Sequence, residues 1–168
     1  ITFGEMIIGI APYFSTERLS VASFLIFIIV TNLFMIYIVE IDHMIEVNQE
    51  GVTGNGAIYC HYPILLGLSL ITVSLSFLGD QTADNLFSVS LLYFGIGIMM
   101  VGVLAHQPYN KRSHQFTAGL YWMAFGLPLA GFLISFLMLQ FSLVLIAIAF
   151  LVTLVMMMSI ISFHLKRL

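Results

Sequence analysis

Long apolar runs separated by short polar connections set the pattern of this chain. The first run, residues 1–13, is interrupted by Glu5 and closed by Pro12, which removes an internal helix hydrogen bond. Ser15-Thr16-Glu17-Arg18 follows as a polar connection. Ser15 or Thr16 is placed to cap the next helix, and Glu17 to favour its positive N-terminal end. That second helix is predicted over residues 19–40, uncharged between Leu19 and Val39, with Asn32 as its one strongly polar interior group. A third is predicted over 58–78, with Cys60, His61 and Pro63 near its start, where proline is tolerated. After a capping turn at 79–84 comes a fourth helix, residues 85–105, in which Gly95, Gly97 and Gly102 allow close helix packing.

Between Gln115 and Phe163 there is no charged residue and no histidine. A single helix of that length would extend roughly 70 Å at 1.5 Å per residue, more than twice the ~30 Å hydrocarbon core. The chain must therefore fold back. Gln140 marks the turn at Met138-Leu139-Gln140 and gives helices over 115–137 and 141–165, the first of them kinked at Pro128. The pattern predicts an all-α polytopic transmembrane helix bundle of about six membrane segments, the first truncated. Residues 1–168 form a single transmembrane domain.

Composition strengthens this picture and excludes others. Hydrophobic residues make up 61% of the 168-residue chain and charged residues 8%, against roughly half and a quarter in a soluble domain. The net charge is −3 without a basic arm, which removes support for nucleic-acid binding. Cys60 is the single cysteine and leaves no intrachain disulfide or CxxC metal knuckle. No nucleotide-binding glycine loop, GxSxG or HExxH occurs, so neither enzymatic activity nor a cofactor is expected. The chain opens at Ile1 inside an apolar run with no basic leader, unlike a signal peptide. It reads as the C-terminal fragment of a longer multi-pass protein, with the missing N-terminal half of the same protein, the lipid bilayer and a second copy of itself as expected partners.

The basic residues predict the orientation. Alternating spans put Lys111, Arg112, Lys166 and Arg167 on one face and only Arg18 on the other. The first face, with the C-terminus and the acidic stretch after the second helix, is expected to be cytoplasmic.

Two sets of polar residues are candidates for chemistry. Glu5 is an ionisable group inside an apolar run and so a functional-site candidate by default: it either lines an ion or proton pathway, with His61 and Asn32 as candidate neighbours, or has a structural role at the headgroups or in a pair with a residue of the missing half. Asp42, His43 and Glu46 form a D-H-x-x-E run. On a continued helix Asp42 and Glu46 share a face and with His43 form a candidate divalent-cation site, Cys60 and His61 lying on the same side. The flexible glycine-rich loop 51–56 follows.

Some of these residues carry a family resemblance. Ile1-Thr2-Phe3-Gly4-Glu5, continuing as Met6-Ile7-Ile8-Gly9, resembles the apolar Gly-Glu helix of the bacterial low temperature requirement A (LtrA) proteins. Tyr59-Cys60-His61-Tyr62-Pro63-Ile64-Leu65-Leu66-Gly67 is similar to that family's Tyr-x-His-x-Pro-apolar-apolar-x-Gly helix start, and Leu33-Phe34-Met35-Ile36-Tyr37 sits at its aromatic-rich helix end, here without tryptophan. The resemblance implies a multi-pass protein of the bacterial cell membrane, linked to growth at low temperature. The function expected is a proton- or ion-coupled transporter or channel; the alternative is a non-transport scaffold or stress-adaptation protein.

Overall fold

The computed structural model describes residues 2–46 and 54–167. Helix α1 is Thr2–Ile10, followed by a tight helical turn at Ala11–Phe14. Helix α2 is Val21–Ile38 and widens into a π-helical turn over Val39–Met44. Helices α3 (Asn55–Asp80), α4 (Asn85–Ala105), α5 (Ala118–Leu137) and α6 (Ser142–Leu165) complete the bundle, with two single helical turns, Gln107–Tyr109 and Arg112–His114, between α4 and α5. Among the described residues there is no β-strand, only one isolated bridge between Ile45 and Asn110. Five of these elements are long and apolar enough to cross a membrane, and a shorter apolar stretch spans Phe3–Phe14. The expected all-α membrane bundle is what the chain forms.

The surface shows why. Ile8, Phe94, Trp122 and Leu137 are all more than 60% exposed, and such residues recur on every long helix. In water this would leave a large apolar face uncovered; in lipid it costs nothing, because the acyl chains match it. The helices therefore associate through shape rather than through a hydrophobic drive.

The closest pairing is α3 with α4, and it rests on glycines. A Cβ on Gly67 would lie 2.5 Å from the carbonyl oxygen of Gly95, and one on Gly102 would lie 2.9 Å from that of Cys60. Gly97, on the other hand, faces open space. The second main seam joins α2 to α6, where Asn32 Nδ2 donates to Thr153 Oγ1 at 3.2 Å in the buried interior.

Two details differ from the sequence reading. Neither Ser15 nor Thr16 caps α2. The Ser15 carbonyl instead accepts from the Arg18 and Leu19 amides to close a separate turn, and Ser20 is the cap, in a reciprocal pair with Ser23. Pro63 lies inside α3 rather than in its first turn, because the helix begins at Asn55. Residues 51–53 of the glycine loop lie outside the described residues.

The ends of the bundle are distinct. At one, Tyr13 Oη donates to the Ser76 carbonyl at 2.9 Å and Arg18 pairs with Asp80 at 3.0 Å. At the other, Lys111 N donates to the Met44 carbonyl and Glu46 N to that of Tyr109, both at 2.8 Å. These bonds tie the end of α2 to the connection after α4.

Candidate functional site

All five histidines of the chain gather at this second end, each brought by a different segment. His43 sits in the π-helical turn, His61 near the start of α3, His106 at the end of α4, His114 in the following connection and His164 near the end of α6. They form two groups. The rings of His61 and His106 meet edge to face with centroids 4.9 Å apart, and Tyr37 stands 5.9 Å from His61. His114 Nε2 lies 3.0 Å from His164 Nδ1, and the His43 ring stands 5.2 Å from that of His164.

The hydrogen bonds assign the protons of the first group. His61 Nδ1 faces the Ala57 carbonyl and His106 Nδ1 that of Gly102, each at 2.8 Å. A carbonyl only accepts, so each Nδ1 carries its proton. The other nitrogen of His106, Nε2, is buried and among the described residues has no hydrogen bond of ordinary geometry, although the Ala57 carbonyl lies near the ring.

At the same end is the least expected feature. Glu40, at the start of the π-helical turn, is 1% exposed. Among the described residues neither carboxylate oxygen has a hydrogen bond of ordinary geometry, although the Asn110 amide is close enough to act on it as a donor. Asn110 lies close to it and has its own buried Oδ1 unpartnered. The connection 106–116 is what covers Glu40: the Ile45–Asn110 bridge and the bond from Lys111 Nζ to the His43 carbonyl at 2.8 Å hold it down over the end of α2. Buried polar atoms are nearly always paired, and π-helical turns recur at functional sites. Among the described residues, Glu40, His106 and Asn110 thus bring four buried polar atoms without a hydrogen bond of ordinary geometry to one end of the bundle.

His114 belongs to the connection outside the spans. Burial first, then His164, Lys111 and Arg167, hold its imidazole below the usual histidine pKa. Arg167 donates to the carbonyl of Gln115 at 3.2 Å and lies over the Phe163 ring at 4.1 Å, which fixes the C-terminal end against the same connection.

The residues singled out from the sequence are spread more widely. Glu5 is exposed on the outer face of α1, and among the described residues it has no hydrogen bond or ion pair. Asn32 is occupied by Thr153 in the α2–α6 seam. His61 does join the histidine-rich end. No bond links Glu5, Asn32 and His61 to one another. Asp42, His43 and Glu46 are exposed, and among the described residues no group of three or more His, Cys, Asp or Glu side chains is placed to hold a metal ion. Glu40, His106, Asn110, His114 and His164 were not singled out. The signal was the position of every histidine at the same-side end of a span.

A cavity of about 550 Å³ lies elsewhere, between α4 and α5, with Phe87, Phe94, Phe125 and Phe132 in its lining. Its apolar walls suit lipid rather than chemistry.

Neither the curated proteins nor the solved structures contain a match to this chain. Residues 1–162 do match the family described as bacterial low temperature requirement A protein (LtrA). With apolar helices long enough to cross a bilayer and a match over nearly its whole length, the chain belongs to the LtrA family of bacterial membrane proteins.

Proposed function

We propose that this LtrA protein is a proton- or small-cation-coupled membrane transporter in which Glu40 binds the coupling ion. One observation carries the reading: the Glu40 carboxylate is buried, and among the described residues it has the Asn110 amide beside it but no cation. Among those residues the Asn110 amide is the one donor close to the carboxylate, and a neutral amide supplies no positive charge to it. A proton on Glu40 supplies it and gives the carboxyl a donor; a small cation supplies it by coordination. An anion or a further acceptor would make the site worse.

The surroundings favour the same reading. Imidazoles exchange protons near neutral pH, and those of His61 and His106 lie at the same end as Glu40. The basic residues Lys111, Arg112, Lys166 and Arg167 lie at this end too, so the positive-inside rule makes it the cytoplasmic one and the C-terminus cytoplasmic. Glu5 suits the role less well, because it is on the outer face of the bundle.

The test is flux in proteoliposomes carrying a pH-sensitive dye, under imposed proton, sodium and potassium gradients. The wild type should dissipate one of these gradients. Glu40→Gln should abolish that flux, and Glu40→Asp should retain part of it. Flux unchanged in Glu40→Gln removes Glu40 from the pathway. No flux in the wild type favours the scaffold reading.

A further inference from the structure

Glu5 poses a separate problem, because its depth is fixed by its neighbours. The Phe3 ring stands 5.0 Å from that of Phe34, and Phe14 stands 5.9 Å from Phe27, so α1 runs antiparallel to α2. On its other side, Gly9 packs against Thr72, and Tyr13 bonds the Ser76 carbonyl, so α1 runs parallel to α3. Both registers place Glu5 near the middle of the spans Val21–Met44 and Asn55–Asp80. At 1.5 Å per residue it lies about 12 Å below Tyr13, close to the midplane of a ~30 Å hydrocarbon core.

Its direction is also fixed. Met6, Ile10 and Tyr13 form the buried face of α1. Glu5 and Ile8 point outward, and Ile8 is 73% exposed. A carboxyl facing lipid at the midplane is costly, and such groups almost always face a partner or a water-filled cavity. Residues 1–168 place no lysine, arginine or histidine at that depth, so a second copy of this stretch supplies no cation there. Its five lysines and arginines are Arg18, Lys111, Arg112, Lys166 and Arg167, all near span ends, and its histidines gather at one end.

We propose that the outer face of α1 is a docking surface for a transmembrane helix of different sequence, which brings an arginine, lysine or histidine to Glu5 at mid-bilayer depth. Charge complementarity selects the partner's chemistry. The surface also has room for it. Gly4, one position from Glu5, has open space where a side chain would be. Beside it is a groove of about 270 Å³ between α1 and α2, lined by Phe3, Gly4, Ile7, Val30, Thr31 and Phe34.

The test is photo-cross-linking in intact membranes, with a benzophenone amino acid replacing Ile8 and the captured peptide sequenced by mass spectrometry. The expected product is a peptide from a membrane helix that carries Arg, Lys or His within one turn of the captured residue. Adding Glu5→Leu should lower the yield about tenfold, whereas Glu5→Asp should keep most of it. The thermal stability of each variant in detergent should match the parent, because Glu5 makes no hydrogen bond or ion pair among the described residues. Adducts with lipid only, with α1 of a second copy, or with a helix lacking a cation overturn the proposal, as does an unchanged yield in Glu5→Leu.

Discussion

His114 Nε2 and His164 Nδ1 face each other at 3.0 Å, a distance at which one nitrogen must donate and the other accept. If both rings carry both protons, the bond becomes a contact between two donors. Folding holds the His114 imidazole below its usual pKa, first through burial and then through His164, Lys111 and Arg167. The unfolded chain, with a histidine pKa near 6.5, then binds more protons than the folded one, and stability rises with pH in that range. The contribution is complete above about pH 6.5 and is lost progressively as pH falls below it. Thermal melts in detergent from pH 8 to 5 should show this loss, and His114→Gln should make the dependence shallower. Parallel curves for the two proteins would rule out His114 as its source.

The α3–α4 seam gives a sharper contrast between two neighbouring glycines. A methyl on Gly67 would sit 2.5 Å from the Gly95 carbonyl and 2.6 Å from the Met99 amide, both backbone atoms that cannot turn aside. A methyl on Gly97 meets nothing within 4 Å. Gly67→Ala should therefore destabilise by about 1–3 kcal/mol through overpacking. Gly97→Ala should be neutral or stabilise by up to about 1 kcal/mol through helix propensity. Denaturation in mixed micelles should separate the two variants, and similar stabilities would contradict the close approach.

The sequence pattern and the fold agree best where both ends of an element carry a local signal. Helix α4 occupies Asn85–Ala105 as expected, because Asp84 Oδ2 accepts from the Leu86 and Phe87 amides and a polar connection begins at His106. The turn at Met138-Leu139-Gln140 likewise follows from one amide in a long apolar run. The site was harder to see. Glu40 adjoins a polar stretch, so by pattern it is a solvated helix end; it is buried because a connection some 70 positions later folds over it, which no local period encodes. Widening of α2 at Val39–Met44 has no sequence signature either. Topology alone puts the histidines at one end, but it does not say which of them touch.

Asn32 illustrates a polar residue with a structural explanation. Its amide donates to Thr153 Oγ1 at 3.2 Å, and that hydroxyl is itself turned toward the Ala149 and Phe150 carbonyls of α6. Such interhelical bonds in membranes contribute about 0.6–2 kcal/mol. Asn32→Leu and Thr153→Val should each destabilise by about that amount. In a double-mutant cycle the second substitution should cost less once the first is made. Strict additivity would mean the two side chains do not interact.

Glu40 should show the opposite behaviour from a residue kept for stability. Its carboxylate is buried with the Asn110 amide beside it and, among the described residues, no hydrogen bond of ordinary geometry. A buried unpaired polar group costs about 1–3 kcal/mol, and more when charged. Replacing it with an apolar side chain of similar size removes that cost without opening a cavity. Glu40→Leu should therefore raise the melting temperature of the detergent-solubilised protein, and Glu40→Gln should raise it less, because the amide keeps polar atoms in the same place. Stability gained where a charge is lost is the pattern expected of a residue retained for what it binds. A clear loss of stability in Glu40→Leu would instead make Glu40 a structural element of the bundle end, and the search for the coupling group would turn to the His61–His106 pair.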